Sequence, residues 1–156
     1  VPLLGEVFEL LGDTVYYDIE IKTRKRSCGL VEEALAGSIH RSGLEGRILV
    51  SSFNPFSLRE IKRLDPSIPT ALIYTNHPEL PLPFRNGGGR FICRPDVLKP
   101  AYEKVNRRSM FFKGRMAGYP MLPWTIDDPE EARRLLASGA AGIISNRPED
   151  LLHLFR

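Results

Sequence analysis

Residues 15–22 read Val15-Tyr16-Tyr17-Asp18-Ile19-Glu20-Ile21-Lys22, and their alternation predicts a β-strand. Successive side chains of a strand point to opposite faces, so the odd-numbered residues make an apolar face that can pack against helices. The opposite face carries Asp18, Glu20 and Lys22. Such a column of charges lies in water or in an active site, because burying charges without partners is costly.

Length and composition indicate one ordinary globular domain. The chain has 156 residues, of which 42% are hydrophobic and 26% charged, a mixture typical of folded proteins rather than of disordered or fibrous ones. The net charge is +3. Basic runs such as Arg24-Lys25-Arg26 and Arg107-Arg108 are not interleaved with stacking aromatic residues, so we expect no binding to nucleic acid.

Cysteine content and hydropathy exclude further classes of protein. Two cysteines, Cys28 and Cys93, do not suggest a disulfide framework or a metal cluster. No stretch approaches the roughly 20 apolar residues of a membrane span. No signal peptide is recognisable, and we expect a cytoplasmic protein.

Apolar strands alternate with amphipathic helices along the chain. The predicted strands are 15–22, 47–53, 70–74, 91–93, 119–126 and 140–145. The predicted helices are 29–42, 57–64, 97–109, 127–137 and 148–155. Helix 29–42 places four apolar residues at helical spacing, which predicts one apolar face made of Leu30, Ala34, Leu35 and Ile39.

This alternation predicts a parallel sheet with both faces covered. It fits an open doubly wound sheet or part of a (β/α)₈ barrel, which usually needs about 250 residues when complete. The sequence has no Gly-x-Gly-x-x-Gly turn and no P-loop lysine, which argues against a nucleotide-binding open sheet. Gly87-Gly88-Gly89, in the proline- and glycine-rich loop 76–90, has the composition of a phosphate cradle, but a loop tip is the simpler interpretation.

Four parts of the chain carry recognisable motifs. They are a proline-led helix from Pro2 followed by Asp18-Ile19-Glu20-Ile21-Lys22, then Val50-Ser51-Ser52-Phe53-Asn54, Leu122-Pro123-Trp124-Thr125-Ile126-Asp127, and the stretch from Gly139 to Pro148. In this order they resemble the glycerophosphodiester phosphodiesterase family over nearly the whole chain. The resemblance implies an α/β fold, a parallel (β/α)₈ barrel of the TIM type, of which this chain supplies strands three to eight.

The resemblance also implies roles for residues at the carboxyl ends of strands, where barrel active sites lie. Glu20 would be a ligand of a divalent metal, Ca²⁺ or Mg²⁺, and Lys22 would contact the substrate phosphate. Phe53, Asn54 and Trp124 would bind the substrate, with Trp124 beside its alcohol group. These residue types suit the chemistry, because hard cations take carboxylate oxygens and a lysine offsets phosphoryl charge.

The chain departs from the family pattern in two ways. Asp18 stands where the family has asparagine. The family's His-Arg-Gly motif, its further acidic metal ligands and its two catalytic histidines have no counterpart in the sequence, whose own His40, His77 and His153 are predicted to lie on the surface. We therefore expect residues 1–156 to be one amino-terminally incomplete domain, with no identifiable catalytic residue and little or no activity by itself.

Each residue assigned to the site also has a purely structural interpretation. Glu20 and Lys22 could form an ion pair on an exposed strand, and Trp124 could be a core residue. Asn54 could be the turn residue before a proline, and Asn146 could be a helix cap.

Besides a different phosphate-handling barrel enzyme, two functions are compatible with these residues. One is metal-dependent hydrolysis of a glycerophosphodiester, a small-molecule substrate, to glycerol 3-phosphate and an alcohol. The other is a non-catalytic, degenerate barrel that binds a partner or a phospho-ligand. A His-Arg-Gly segment encoded upstream of Val1 would favour the enzyme. A start codon near Val1 would favour the binding module. If residues 1–156 are the whole polypeptide, open strand edges further predict a homo-oligomer.

Overall fold

A computed structural model describes residues 1–23 and 29–155. The chain divides into two compact units, Val1–Leu72 with Gly89–Pro95 and Ile73–Gly88 with Asp96–Arg156. That both units make one domain, as the length predicts, stays a prediction.

Helices and strands follow one another along both units. The first unit contains α1 (Leu4–Leu11), β1 (Tyr17–Glu20), α2 (Leu30–Ser42), β2 (Ile48–Ser52), α3 (Pro55–Leu64) and the start of β3 (Thr70–Tyr74). The end of β3 and α4 (Leu82–Arg85) belong to the second unit, and α5 (Arg90–Cys93) to the first. The second unit continues with β4 (Val97–Pro100), α6 (Arg107–Ser109, extended by a π-helix over Met110–Met116), α7 (Pro129–Ala137) and α8 (Pro148–Leu151).

The strands of the first unit are parallel, as the sequence predicts. In the pairing of β1 with β2, Tyr17 lies opposite Ile48 and Glu20 opposite Ser51. Ile21 continues this ladder, because its backbone N–H donates to the Ser51 carbonyl at 2.8 Å. A parallel connection needs a crossover, and α2 supplies it between β1 and β2.

Helix α2 matches the predicted bounds but buries a different face. Its buried residues are Glu32, Leu35, Ala36 and Ile39, which follow the i, i+3, i+4, i+7 spacing of one helical stripe. The prediction was wrong for Leu30, which is 71% exposed, and for Ala34, which is exposed. Both lie on the side of the helix opposite this stripe.

Helix α3 begins two residues earlier than predicted because of its cap. Asn54 is the N-cap residue, and its side-chain oxygen accepts a hydrogen bond from the Phe56 N–H at 3.0 Å. Pro55 occupies the first helical turn, where its missing N–H would have no partner in any case. Leu58 and Ile61 then point into the core with no exposed surface.

Two predicted elements are wrong. The predicted strand 91–93 is helix α5, whose first turn closes where Ile92 and Cys93 donate to the Gly89 carbonyl; three apolar residues are too few to separate helix from strand. The predicted helix 97–109 is strand β4, a 3₁₀ turn and the start of α6. Pro100 explains this difference, since a proline disfavours helical backbone in the residue before it.

The predicted strands 119–126 and 140–145 show the hydrogen bonds of parallel strands without forming a continuous ladder. Bridges join Leu98 to Met121 and Ala101 to Trp124. On the other side, Ile144 donates to the Pro123 carbonyl and Ile126 to the Ile144 carbonyl, both at 2.9 Å. Prolines within the first segment lack the N–H that a regular ladder requires.

The predicted loop 76–90 contains helix α4, and its glycines are not a loop tip. Gly87 is buried against the Tyr74 ring with φ of +72°, a conformation that favours glycine. A Cβ at Gly88 would overlap the Pro83 carbonyl oxygen. Gly87 and Gly88 therefore permit close packing of the chain on itself.

The remaining predictions concern membrane spans, the cysteines and the basic run near residue 25. Among the described residues, no helix has both the length and the apolarity to cross a membrane. Cys93 is buried, and its thiol donates to the Gly89 carbonyl at 3.3 Å. Cys28 and the basic run 24–26 lie outside the described residues.

The different environments of two residues in α2 give a test of the fold. Ile39 has no exposed surface whereas Leu30 is 71% exposed, so we expect Ile39→Ala to lower the free energy of unfolding by about 2–5 kcal/mol. The matched variant Leu30→Ala should change it by less than about 0.5 kcal/mol. Urea denaturation followed by circular dichroism measures both, and equal losses would contradict this packing.

Candidate active site

The charged face of β1 is more exposed than its apolar face, as the alternation predicts. Asp18 and Glu20 are exposed, whereas Tyr17 and Ile19 are half-buried. Ile21, on the apolar side, is buried. On that side the Tyr17 ring packs edge-to-face on Phe8 with 5.1 Å between ring centroids. The apolar contacts therefore fix which way the charged side chains point.

Glu20 and Lys22 face each other across this end of β1. The Lys22 Nζ lies 3.9 Å from the Glu20 Oε2, and the Lys22 side chain is 79% exposed. An ion pair at this distance and exposure contributes little stability. The ion pair that the sequence offered as a structural alternative is therefore present, but it is long and exposed. A phosphate at Lys22 or a cation at Glu20 could replace this contact at little energetic cost.

Asp18 is held by a hydroxyl group of the neighbouring strand. The Ser51 Oγ donates a hydrogen bond to the Asp18 Oδ1 at 2.7 Å. Ser51 itself is fully buried and lies opposite Glu20 in the register. The Asp18 carboxylate thus has a donor within its own unit.

Asn54 joins the end of β1 to the start of α3. Its Nδ2 donates to the Thr23 Oγ1 at 3.0 Å, and the Thr23 and Ser57 hydroxyls lie 2.7 Å apart. Asn54 is therefore both a helix cap and a contact of the residue that follows Lys22. Phe53, next to it, is half-buried. The first unit thus brings Asn54 and Phe53 to the strand ends that Glu20 and Lys22 occupy.

Sequence reasoning missed Thr23 and Ser57. The Asn54-Pro55 pair is a helix-start signal that could have identified the cap. The contact of Asn54 with Thr23 spans 31 positions of sequence, and no local pattern indicates a pairing of that range.

Trp124 belongs to the second unit and is half-buried rather than part of a closed core. Its indole Nε1 donates to the Lys99 carbonyl at 2.9 Å, and its backbone N–H donates to the Pro100 carbonyl at 3.0 Å. These bonds to β4 fix the ring. Lys99 is itself buried. Alternation could not predict this, because Leu98 and Pro100 on either side of it are buried as well.

In the second unit, the Asp127 carboxylate accepts three hydrogen bonds. The donors are the Ser145 Oγ and the Asn146 N–H, both at 2.8 Å from Oδ1, and the Asn146 Nδ2 at 3.2 Å from Oδ2. The bond from Ser145, then that from the Asn146 backbone, hold the pKa of Asp127 below its usual range. The interpretation of Asn146 as a helix cap is wrong, because Arg147 is the N-cap residue of α8.

The three histidines lie on the surface, as predicted. His40 contacts Asp65, with 2.7 Å between Nε2 and Oδ2. His77 accepts a hydrogen bond from the Glu79 N–H. Hydrogen bonds from Ser67 and then from His40 lower the pKa of Asp65 to about 2. These histidines thus serve surface contacts.

The lowered pKa of Asp127 predicts acid-sensitive stability. A carboxyl group with a folded-state pKa below its unfolded value stabilises the fold above that unfolded value, near 3.8, and loses this contribution as pH falls. We expect Asp127→Asn to lower the melting temperature at neutral pH, with a difference from wild type that shrinks below pH 4. Asp13→Asn, on an exposed turn, is the control. A difference independent of pH would contradict the assignment.

The described residues do not make a metal site by themselves. Within residues 1–23 and 29–155, no group of three or more His, Cys, Asp or Glu side chains could hold a metal ion. Ca²⁺ takes six to eight oxygen ligands and Mg²⁺ six, whereas β1 offers only the carboxylates of Glu20 and Asp18. Their oxygens suit a hard cation in type but not in number, so no reaction step is assigned to a metal.

Comparison with known proteins gives a consistent result. The profile of the glycerophosphoryl diester phosphodiesterase family matches residues 1–150. A glycerophosphodiester phosphodiesterase of Caldanaerobacter subterraneus is 32% identical over 100% of this chain and 62% of its own length. The chain thus spans about three fifths of that relative.

Solved structures agree with the family profile. A protein of Silicibacter pomeroyi named as a glycerophosphoryl diester phosphodiesterase superposes with a TM-score of 0.80 at 25% identity, over 99% of this chain and 57% of its own. A phosphodiesterase of Oleispira antarctica, in complex with the product sn-glycerol-3-phosphate, superposes with a TM-score of 0.73 at 22% identity, over 99% and 61%. The predicted fold class, α/β of the parallel (β/α)₈ barrel type, is confirmed. On its sequence and its fold, the chain belongs to the glycerophosphoryl diester phosphodiesterase family.

Proposed function

We propose that the protein hydrolyses glycerophosphodiesters to glycerol 3-phosphate and an alcohol, and that residues of this chain bind the phosphodiester. The observation that carries the proposal is the family match over residues 1–150 together with the exposed Glu20 and Lys22 at the end of β1. The Oleispira neighbour holds sn-glycerol-3-phosphate, which makes this molecule the natural probe for the present chain.

Lys22 is the proposed contact of the phosphate. Its ammonium group is exposed and only loosely engaged by Glu20 at 3.9 Å, so a phosphate oxygen can replace the carboxylate as its partner. A positive charge fixed at this position offsets the negative charge that grows on the phosphoryl oxygens during cleavage.

Glu20 is the proposed ligand of a divalent cation, Ca²⁺ or Mg²⁺. When bound, such an ion polarises a phosphoryl oxygen. Glu20 supplies one carboxylate toward it, and the remaining ligands would come from outside the described residues.

Phe53, Asn54 and Trp124 are the proposed contacts of the rest of the substrate. The Asn54 amide is oriented by its bonds to Phe56 and Thr23. The Trp124 ring is fixed through its indole N–H and offers a half-buried face to an alcohol group. The cytoplasmic location and the pairing of second copies through open strand edges stay predictions.

A non-catalytic module that binds a phospho-ligand is the second candidate. It is favoured by the histidines, since His40, His77 and His153 are all exposed and none of them stands in a His-Arg-Gly motif. The family's acid–base chemistry has no counterpart among them. This candidate retains Lys22 as the phosphate contact but predicts no turnover in any context.

The polypeptide of residues 1–156 should release little or no glycerol 3-phosphate from glycerophosphocholine in the presence of Ca²⁺ or Mg²⁺. Acid–base catalysis contributes about 10²- to 10⁴-fold for each group, so we expect a rate on the order of 10⁴-fold or more below that of the Caldanaerobacter relative, which serves as the positive control. Robust turnover by the purified chain would contradict this expectation.

Binding of sn-glycerol 3-phosphate tests the role of Lys22 without requiring turnover. Hydrogen bonds to charged groups contribute about 1.5–3 kcal/mol, so Lys22→Met should weaken binding about 10- to 100-fold in isothermal titration calorimetry. Lys62→Met is the matched control, because Lys62 bonds to the Pro66 carbonyl at the end of α3. Binding that is equal in both variants would remove Lys22 from the site.

A further inference from the structure

The helical segment 107–116 of the second unit, formed by α6 and the π-helix after it, exposes large apolar side chains. Phe111, Phe112 and Met116 are 48%, 61% and 68% exposed. The two phenylalanine rings pack edge-to-face with 5.2 Å between their centroids. Together they form a raised apolar patch, of the kind that marks an interaction surface.

The inner side of the same segment is fixed against the second unit. Met110 is buried, and Gly114 leaves room for Met121 beside it. The Lys113 Nζ lies 3.3 Å from the Tyr74 hydroxyl and 4.7 Å from the centre of the Tyr74 ring. Because these contacts fix the rotation of the helix, Phe111 and Phe112 cannot turn inward without breaking them.

Positive charge lies on the same helical segment as the patch. Arg107, Arg108 and Arg115 are exposed, and no ion pair engages them among residues 1–23 and 29–155. The sequence from 104 to 126 contains five basic and no acidic residues. This exceeds the net charge of +3 of the whole chain, so the basic excess is concentrated on this part of the molecule.

We propose that segment 107–116 docks the protein on an anionic lipid surface. Interfacial helices place aromatic and aliphatic side chains at the boundary between headgroups and acyl chains, and surround them with Lys and Arg that attract anionic headgroups. A nucleic acid duplex would satisfy the arginines but leave Phe111, Phe112 and Met116 in water. A lipid surface accommodates both, and a segment of this length lies on a bilayer rather than across it.

Vesicle flotation tests the proposal on the 156-residue chain, with vesicles of phosphatidylcholine alone or mixed with phosphatidylglycerol. We expect binding to the mixed vesicles and little to the neutral ones. Raising NaCl from about 0.1 M to about 1 M shortens the Debye length from about 10 Å to about 3 Å and should release the protein. The assay involves no substrate, so its result is independent of the proposed phosphodiesterase activity.

Two sets of variants separate the apolar from the electrostatic part of docking. Each arginine near an anionic surface contributes about fivefold in partitioning, so the triple variant R107Q/R108Q/R115Q should bind roughly 100-fold more weakly. F111S/F112S should weaken binding to mixed vesicles at every salt concentration. The controls R41Q/R59Q/R133Q and F91S change exposed residues elsewhere and should bind like the wild type. Thermal melts followed by circular dichroism confirm that each variant is folded.

Several outcomes would overturn lipid docking. One is equal binding to neutral and anionic vesicles, or no binding to either. Another is an equal loss in the control variants. Tight binding of a single-stranded oligonucleotide without vesicle binding would assign the surface to nucleic acid, and a dimer that F111S/F112S dissociates in sedimentation equilibrium would assign it to a second copy.

Discussion

The parallel pairing of β1 with β2 is the constraint on which the candidate site depends. Strand β1 buries Ile21 and packs Tyr17 on Phe8, so a slip of one residue would expose these side chains and bury carboxylates. The Ile21 N–H bond to Ser51 extends the ladder up to the residue before Lys22. Glu20 and Lys22 therefore lie on the exposed face, because the packing of Ile21 and Tyr17 fixes the opposite face against the core.

The parts of the fold that depend on periodicity could be predicted from sequence. Helix α7 follows its helical pattern, and strand β3, which is buried at all five positions, has the predicted bounds 70–74. Elements whose apolar run is short could not, since Phe91-Ile92-Cys93 fits a turn of helix as well as a strand. In the site, the directions of Glu20 and Lys22 follow from alternation alone. The bonds of Asn54 to Thr23 and of Asn146 to Asp127 join distant parts of the chain, and no local pattern encodes them.

In both units, hydrogen bonds to carboxylate and amide side chains fix the positions of polar residues near the ends of strands. In the first unit, Asn54 caps α3 and contacts Thr23. In the second, Asp127 collects its donors from Ser145 and Asn146. Each group is fixed by the fold before any ligand arrives, which is the preorganisation that binding sites require. By contrast, the loose contact of Glu20 with Lys22 leaves those two charges available to a ligand.

The most direct test of the account is the activity of a chimera in which the amino-terminal part of the Caldanaerobacter relative, up to the residue that matches Val1, precedes this chain. The account expects the folded chimera to hydrolyse glycerophosphocholine, and Glu20→Gln to abolish most of that turnover while Glu9→Gln, on the exposed side of α1, leaves it unchanged. A folded chimera that has no turnover, or that turns over equally with and without the Glu20 carboxylate, would contradict it.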